Sequence, residues 1–223
     1  MKLTVGTLVS TKKLSFPQQQ LVEHSGVGLI HYDILKIKTR LVNEVPENLM
    51  NVIITSKNAI PAAVHWKDHI KNIYCVGDTT AEKLVFNGFL PQMVASDSKT
   101  LADKIISSNP DHTFTYMCGD HRRDEIPQLF EENEILLNEV IVYESKVVEK
   151  AFDRIFAAVL FYSPRGVYAF AKANKHQPQC AVCIGETTAE AAREMFPNVV
   201  IANKQTVENV LTTAIKLLRD DKK

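Results

Sequence analysis

Two short stretches carry residue types suited to holding an anion, Val76-Gly77-Asp78-Thr79-Thr80-Ala81-Glu82 and Ile184-Gly185-Glu186-Thr187-Thr188-Ala189-Glu190. Each follows a short apolar run, Asn72-Ile73-Tyr74-Cys75 in one and Cys180-Ala181-Val182-Cys183 in the other, and each leads into an alanine-rich segment. Apolar run, glycine and helix-forming segment read as a strand, a tight turn and a helix start. Thr79 with Glu82, and Thr187 with Glu190, stand at capping-box spacing. The first turn of a helix leaves backbone N–H groups unpaired, so such a loop can receive a carboxylate or phosphate. A well-capped helix with no ligand would use the same residues. Two copies at matching places favour a binding role.

Other reactive residues support fewer chemistries. Ser56 and Ser163 stand at matching strand ends, but no G-x-S-x-G elbow and no neighbouring histidine or acid is placed to activate them. They read as turn formers or hydrogen-bond donors. Arg122-Arg123 lies between a strand and a helix, where a guanidinium can pair a carboxylate with two hydrogen bonds. An exposed basic pair would look the same. His65 and His69 have the i, i+4 spacing of zinc-binding helices, but Trp66 occupies the place of the general-base glutamate and no third ligand is evident. A solvated helix face accounts for them, and no metal is expected. Cys180-x-x-Cys183 lies along a strand, where residues three apart face opposite ways, so it does not read as a redox pair. Cys75, Cys118 and Cys183 sit near strand ends as small hydrophobes. No G-x-G-x-x-G fingerprint or P-loop is present, which leaves nucleotide cofactors without support.

The elements that position these residues are duplicated. Ser56, in Val52-Ile53-Ile54-Thr55-Ser56-Lys57-Asn58-Ala59-Ile60, recurs about 107 residues later as Ser163, in Val159-Leu160-Phe161-Tyr162-Ser163-Pro164-Arg165-Gly166-Val167. Gly77 recurs as Gly185, and Lys99-Thr100-Leu101-Ala102-Asp103 recurs as Gln205-Thr206-Val207-Glu208-Asn209, at nearly the same offset. A period this long implies two domain-sized copies rather than a solenoid. Strands are expected at Leu3–Val9, Val52–Thr55, Gln92–Ala95 and Thr113–Cys118. Helices are expected at Phe16–His24, from Thr100 to Ser108, at Asp124–Glu132 and at Val207–Leu218. Gly28–Leu41 and Leu136–Val148 read as two long extended segments. Breaks fall at Asn43–Asn48 and Asn109–Asp111, and the last four residues should fray. Alternating strands and helices give an α/β protein with parallel sheets, about five strands per unit, which suits two flavodoxin-like lobes. Ligands of such sheets bind at the carboxyl ends of the strands, where Ser56, Gly77–Thr80, Ser163 and Gly185–Thr188 stand.

Composition narrows the function classes. The 223 residues carry a formal net charge of +0, with 23% charged and 45% hydrophobic residues, so there is no broad basic field and nucleic acid is not an expected partner. No apolar run approaches the ~20 residues of a membrane span, and no signal peptide opens the sequence. A soluble, monomeric, cytoplasmic protein is the expectation.

The run Ile54-Thr55-Ser56-Lys57-Asn58-Ala59-Ile60, the loop Val76-Gly77-x-Thr79-Thr80-Ala81, Arg123 before a helix, Val140-Ile141-Val142-Tyr143, Phe161-Tyr162-Ser163-Pro164 and Ile184-Gly185-x-Thr187-Thr188-Ala189 resemble, in order and over nearly the whole chain, the uroporphyrinogen-III synthases. The chain departs at Ser10-Thr11-Lys12, where many relatives carry Thr-Arg-Pro, and at Phe196-Pro197, which replaces a glycine matching Gly88. The resemblance implies a cofactor-free enzyme that closes the linear tetrapyrrole hydroxymethylbilane to uroporphyrinogen III, losing the terminal hydroxyl as water and inverting ring D through a spirocyclic pyrrolenine. The substrate's eight carboxylates would bind in a cleft largely through backbone amides. Tyr143 would assist departure of the hydroxyl, and Ser56, Gly77, Thr79, Thr80, Arg123, Ser163, Gly185, Thr187 and Thr188 would bind substrate. The upstream hydroxymethylbilane synthase is a candidate partner. The implied layout joins residues 1–36 and 149–223 in lobe 1 and makes 41–141 lobe 2, with 37–40 and 142–148 as a two-stranded extended linker. A non-catalytic two-lobe binder of a small anion is the competing class, with a glycosyltransferase-like enzyme more distant; a positioned proton donor such as Tyr143 distinguishes the synthase.

Overall fold

The computed structural model describes residues 6–40, 45–108 and 111–220. Residues 3–5 of the expected first strand, Leu41, Asn43, Asn109-Pro110 and the last three residues of the tail lie outside the described residues. In chain order the strands are β1 (Thr7–Ser10), β2 (Gly28–His31), β3 (Leu35–Thr39), β4 (Asn51–Ile54), β5 (Asn72–Val76), β6 (Pro91–Ala95), β7 (Phe114–Gly119), β8 (Leu137–Val147), β9 (Ala158–Phe161), β10 (Ala181–Cys183) and β11 (Val199–Ile201). The helices are α1 (Phe16–Glu23), α2 (Ile60–His65), α3 (Asp78–Phe86), α4 (Ser98–Ser108), α5 (Glu125–Glu132), α6 (Pro164–Ala173), α7 (Glu186–Met195) and α8 (Val207–Asp220).

The chain divides into two compact units, Met1–Lys36 with Val147–Lys223, and Ile37–Lys146. The first holds a parallel sheet in the order β11-β10-β9-β1-β2, which is the doubly wound 2-1-3-4-5 arrangement. Its strands are sandwiched: Val9, Val159 and Phe161 face one core with Phe170 and Phe196, while Leu8, Ala158 and Leu160 face another with Val210 and Leu211. That two-residue alternation is the pleat burying both faces of a sheet covered by helices.

The second unit has the order β3-β8-β7-β4-β5-β6, in which β4 through β8 pair in parallel. The same alternation recurs here. Val52 and Ile54 pack with Trp66, Leu84 and Phe89, while Ile53 packs with Leu101, Phe114 and Phe130. Phe114 makes edge-on ring contacts with Tyr74 at 5.3 Å and Phe130 at 5.5 Å. The edge strand β3 runs antiparallel to β8, since Arg40 donates its N–H to the Val142 carbonyl and Val148 donates to that of Ile34.

Element bounds differ from the sequence reading at several places, and two of the differences have a clear local cause. Gly28–Leu41 is not one extended segment, because the chain breaks between β2 and β3 at Tyr32-Asp33-Ile34. Ile34 turns inward to 4% exposure, its N–H donates to the Thr11 carbonyl, and Asp33 accepts the Lys13 N–H at 2.8 Å. Burial of one isoleucine therefore outweighs the alternating pattern. α4 starts at Ser98 rather than Thr100, because Asp97 caps it, accepting the Thr100 N–H and hydroxyl at 2.8 Å each.

Candidate active site

In the second unit the strand order reverses between β4 and β7, and the residues just beyond their carboxyl ends are Thr55-Ser56 and Asp120-His121. Doubly wound sheets present their ligand crevice at such a reversal. Tyr143 reaches this point from β8. The β7–β8 register shifts between Cys118 and Gly119, so that Gly119 pairs with Tyr143. Gly119 is buried, and a Cβ built on it would fall 2.4 Å from Tyr143 Cε2, 2.5 Å from Cζ and 2.9 Å from Oη. The ring therefore lies against a backbone that has no side chain. The Asp120 N–H donates to the Tyr143 carbonyl at 3.1 Å, and the Asp120 carboxylate accepts the Ser145 N–H at 3.0 Å. The turn after β7 thus grips β8 at the tyrosine and two residues beyond it.

Burial pushes the Tyr143 phenol above its ordinary pKa, a hydrogen bond with Ser56 pulls the other way, and the thiol of Cys118 and the carboxylate of Asp120 add to the rise. The phenol is accordingly protonated at neutral pH. Ser56 is the cap of a one-turn helix at Lys57–Ala59, its Oγ accepting the Asn58 N–H at 3.3 Å. Beside it, Thr55 Oγ1 and Tyr116 Oη share a hydrogen bond of 2.9 Å.

β5 adjoins β4, so the Gly77 loop stands at the next strand end. Gly77 adopts φ +82°, donates its N–H to the Ala95 carbonyl at 2.8 Å and caps α3 without a side-chain hydrogen bond. In the first unit Ser163 and the Gly185 loop stand at the ends of adjacent β9 and β10. Ser163 caps α6, accepting the Gly166 N–H at 3.2 Å, and Gly185 caps α7, again without a side-chain bond. The expected capping boxes are therefore absent. Both helices begin directly after the glycine, which places Thr79 and Thr187 inside the first turn instead of at the cap. The consequence is an uncapped helix start in each copy. Thr80 and Thr188 are buried, at 7% and 4% exposure, whereas Thr79 and Thr187 are exposed.

The arginine pair separates into two roles. Arg122 is engaged internally, pairing with Glu139 through Nε and Nη2 (the latter 2.7 Å from Oε1) and with Asp124 through Nη1. Arg123 is exposed, and remains the one of the two whose guanidinium forms no ion pair among the described residues. At Ser10-Thr11-Lys12, Ser10 shares a 3.2 Å hydrogen bond with Tyr162, Thr11 donates to the Leu160 carbonyl at 2.7 Å, and Lys12 Nζ lies 5.9 Å from the Tyr162 ring centre. This is the strand-order reversal of the first unit, between β1 and β9.

The four cysteines are free, and burial pushes Cys75 and Cys118 up to about 11 and Cys183 to about 12, so these three remain thiols. His65 and His69 are exposed, and no group of three or more metal-ligating side chains occurs among the described residues. No helix among them is long and apolar enough to cross a membrane. Gly119, Thr55 and Tyr116 were not singled out from the sequence. The available signal was a glycine closing a buried strand, which marks a close approach to its backbone.

Comparison with known proteins bears on the fold. The fold resembles that of uroporphyrinogen-III synthetase from Helicobacter pylori, with TM-score 0.71 and 18% identity over 95% of this chain and 99% of that one. It also resembles a mutant uroporphyrinogen III synthase from the extremely thermophilic bacterium Thermus thermophilus, with TM-score 0.60 and 11% identity over 96% and 99% of the two chains. No curated protein sequence matches the chain. The family described as uroporphyrinogen-III synthase HemD matches residues 18–212. With that match spanning both units and both copies of the glycine loop, the chain belongs to the uroporphyrinogen-III synthase family.

Proposed function

We propose that the protein cyclises hydroxymethylbilane to uroporphyrinogen III as a hydro-lyase, with Tyr143 as the proton donor to the departing hydroxyl. The observation that carries the residue assignment is the placement of a protonated phenol at the strand-order reversal of the second unit, over Gly119 and beside Ser56. In the reaction the terminal C–O bond breaks and oxygen leaves as water, so a proton must arrive as charge develops on that oxygen. A phenol is protonated at neutral pH and can give its proton to the oxygen as the bond breaks. The cation left behind is stabilised by the adjacent pyrrole nitrogen, and ring closure follows with inversion of ring D.

The substrate's carboxylates are held at the strand ends of each unit. The uncapped N–H groups following Gly77 and Gly185 supply hydrogen bonds, Thr79, Thr80, Thr187 and Thr188 line the same turns, and Ser163 and Arg123 add polar contacts. The protein acts as a cytoplasmic monomer and receives its substrate from hydroxymethylbilane synthase.

Tyr143→Phe tests the assignment, because it retains the ring against Gly119 and deletes only the donor. Single-turnover rates should fall by about 10²-fold or more, with substrate affinity nearly unchanged. A variant that keeps more than about half the wild-type rate removes the tyrosine from the mechanism.

A further inference from the structure

The turn that follows Gly119 carries two more titratable side chains, Asp120 and His121, neither of which has a part in breaking the C–O bond. Two neighbouring polar residues on an exposed turn would ordinarily both face water. Here both oxygens of the Asp120 carboxylate are engaged. Oδ1 accepts the Ser145 N–H at 3.0 Å and the Ser145 hydroxyl at 3.3 Å, and Oδ2 stands 3.7 Å from His121 Nε2. The Asp120 N–H is bonded to the Tyr143 carbonyl, so the pair is held to the stretch of β8 that carries the phenol. The charge of Asp120 reaches that phenol, as one cause of its raised pKa. With its hydrogen on Nε2, toward the carboxylate, the imidazole has its lone pair on Nδ1, and the His121 side chain is 54% exposed. A fixed carboxylate behind an accessible imidazole is the arrangement of an oriented general base.

We propose that His121 is the base of the reaction and Asp120 its positioning residue: the imidazole takes the proton that ring closure releases, close to the phenol that gives one. This deepens the reading of the protein as a synthase and rests on it. The proton count calls for such a group. Departure of the hydroxyl as water consumes one proton, supplied by Tyr143. Ring closure then forms a C–C bond at a pyrrole carbon that carries hydrogen. That hydrogen leaves as a proton, and its bonding pair restores the aromatic ring. Nδ1 receives the proton, and Asp120 holds the imidazolium by a charge-assisted hydrogen bond. Transfer from the imidazolium to the phenolate, directly or through water, returns both groups to their starting forms; it runs downhill because a phenol is the weaker acid.

Substrate carrying deuterium at the hydrogen-bearing carbon of the closing ring isolates this step. In His121→Gly, single-turnover formation of the type III ring should slow by about 10²-fold or more, with substrate affinity nearly unchanged. Deuterium should slow the variant by a larger factor than it slows the wild type, and added imidazole should restore much of the rate. Asp120→Asn should lower the rate about tenfold, and no further in a His121→Gly background, because it acts through the histidine. Tyr143→Phe should also be slow, but imidazole should not speed it. If His121→Gly folds poorly, His121→Gln with the same isotope comparison decides. A histidine variant that keeps more than about half the wild-type rate overturns the proposal. So does a slow one that imidazole does not speed and whose isotope effect is unchanged. Wild-type protein that yields no type III ring overturns the synthase reading and this proposal with it, whereas the other failures leave the synthase reading standing.

Discussion

Alanine at Gly77 and at Gly185 occupies the same place in the two copies of the loop, yet the two substitutions should differ in cost. At Gly77 the backbone is at φ +82°, ψ 140°, and a Cβ would meet nothing within 4 Å. Space is free there and the penalty is purely conformational, about 1–3 kcal/mol for an L-residue in that region. Alanine also restricts the unfolded chain, which returns about 0.4–1 kcal/mol. The net loss then spans about 0–2.6 kcal/mol with a midpoint of about 1.3 kcal/mol, lowering Tm by roughly 2–4 °C per kcal/mol for a chain of this size. At Gly185 the backbone is extended, φ −171°, ψ 176°, and any residue adopts it. The added Cβ would meet Gln205 Nε2 at 3.1 Å, the far end of a flexible side chain that can yield. The entropic gain then offsets the small rearrangement, and the net change should stay within about 0.5 kcal/mol. Urea unfolding followed by circular dichroism measures both. Equal costs, or a larger cost at Gly185, would contradict the conformations assigned to the two loops and the helix starts built on them.

Three further outcomes follow from the same structure. Ser163→Ala removes a cap that accepts the Gly166 N–H and should cost about 0.5–2 kcal/mol, whereas exposed Thr187→Ala caps nothing and should stay within about 0.5 kcal/mol, both read from urea midpoints. Asp97 is held down at about 2, first by the Thr100 N–H and then by the Ser96 and Thr100 hydroxyls. Its folded pKa lies below the ordinary carboxylate value, so its contribution is present above about pH 4 and lost as pH falls through about 2; the Tm difference between wild type and Asp97→Asn should vanish over that window. Phe130→Ala empties a fully buried site against Phe114 and should cost about 3–5 kcal/mol by denaturant unfolding.

The alternating architecture was legible in the sequence because its strands are buried on both faces and read as continuous apolar runs: Val52-Ile53-Ile54 and Val159-Leu160-Phe161 could hardly be anything else. The duplication was legible for the same reason, since a glycine between strand and helix leaves a recognisable signature. Helix starts were misread where two capping signals competed. At Thr79 and Thr187 the Thr-x-x-Glu spacing was present, but the preceding glycine allows the helix to start earlier, and the spacing then falls within the first turn. Ile34 was missed because one inward residue within an alternating run has no local signal; its burial is a tertiary effect. Gly119 was missed because the residue that needs its missing side chain, Tyr143, is on a different strand, and only the β7–β8 register brings them together.

Incubating the purified protein with hydroxymethylbilane and resolving the product isomers decides whether it acts as a synthase. Unassisted closure joins the ends without inverting ring D and gives the type I ring. The type III ring should predominate, in proportion to enzyme concentration, and this excess should disappear on heat denaturation. A product that is type I alone, formed at the rate seen without protein, would contradict it.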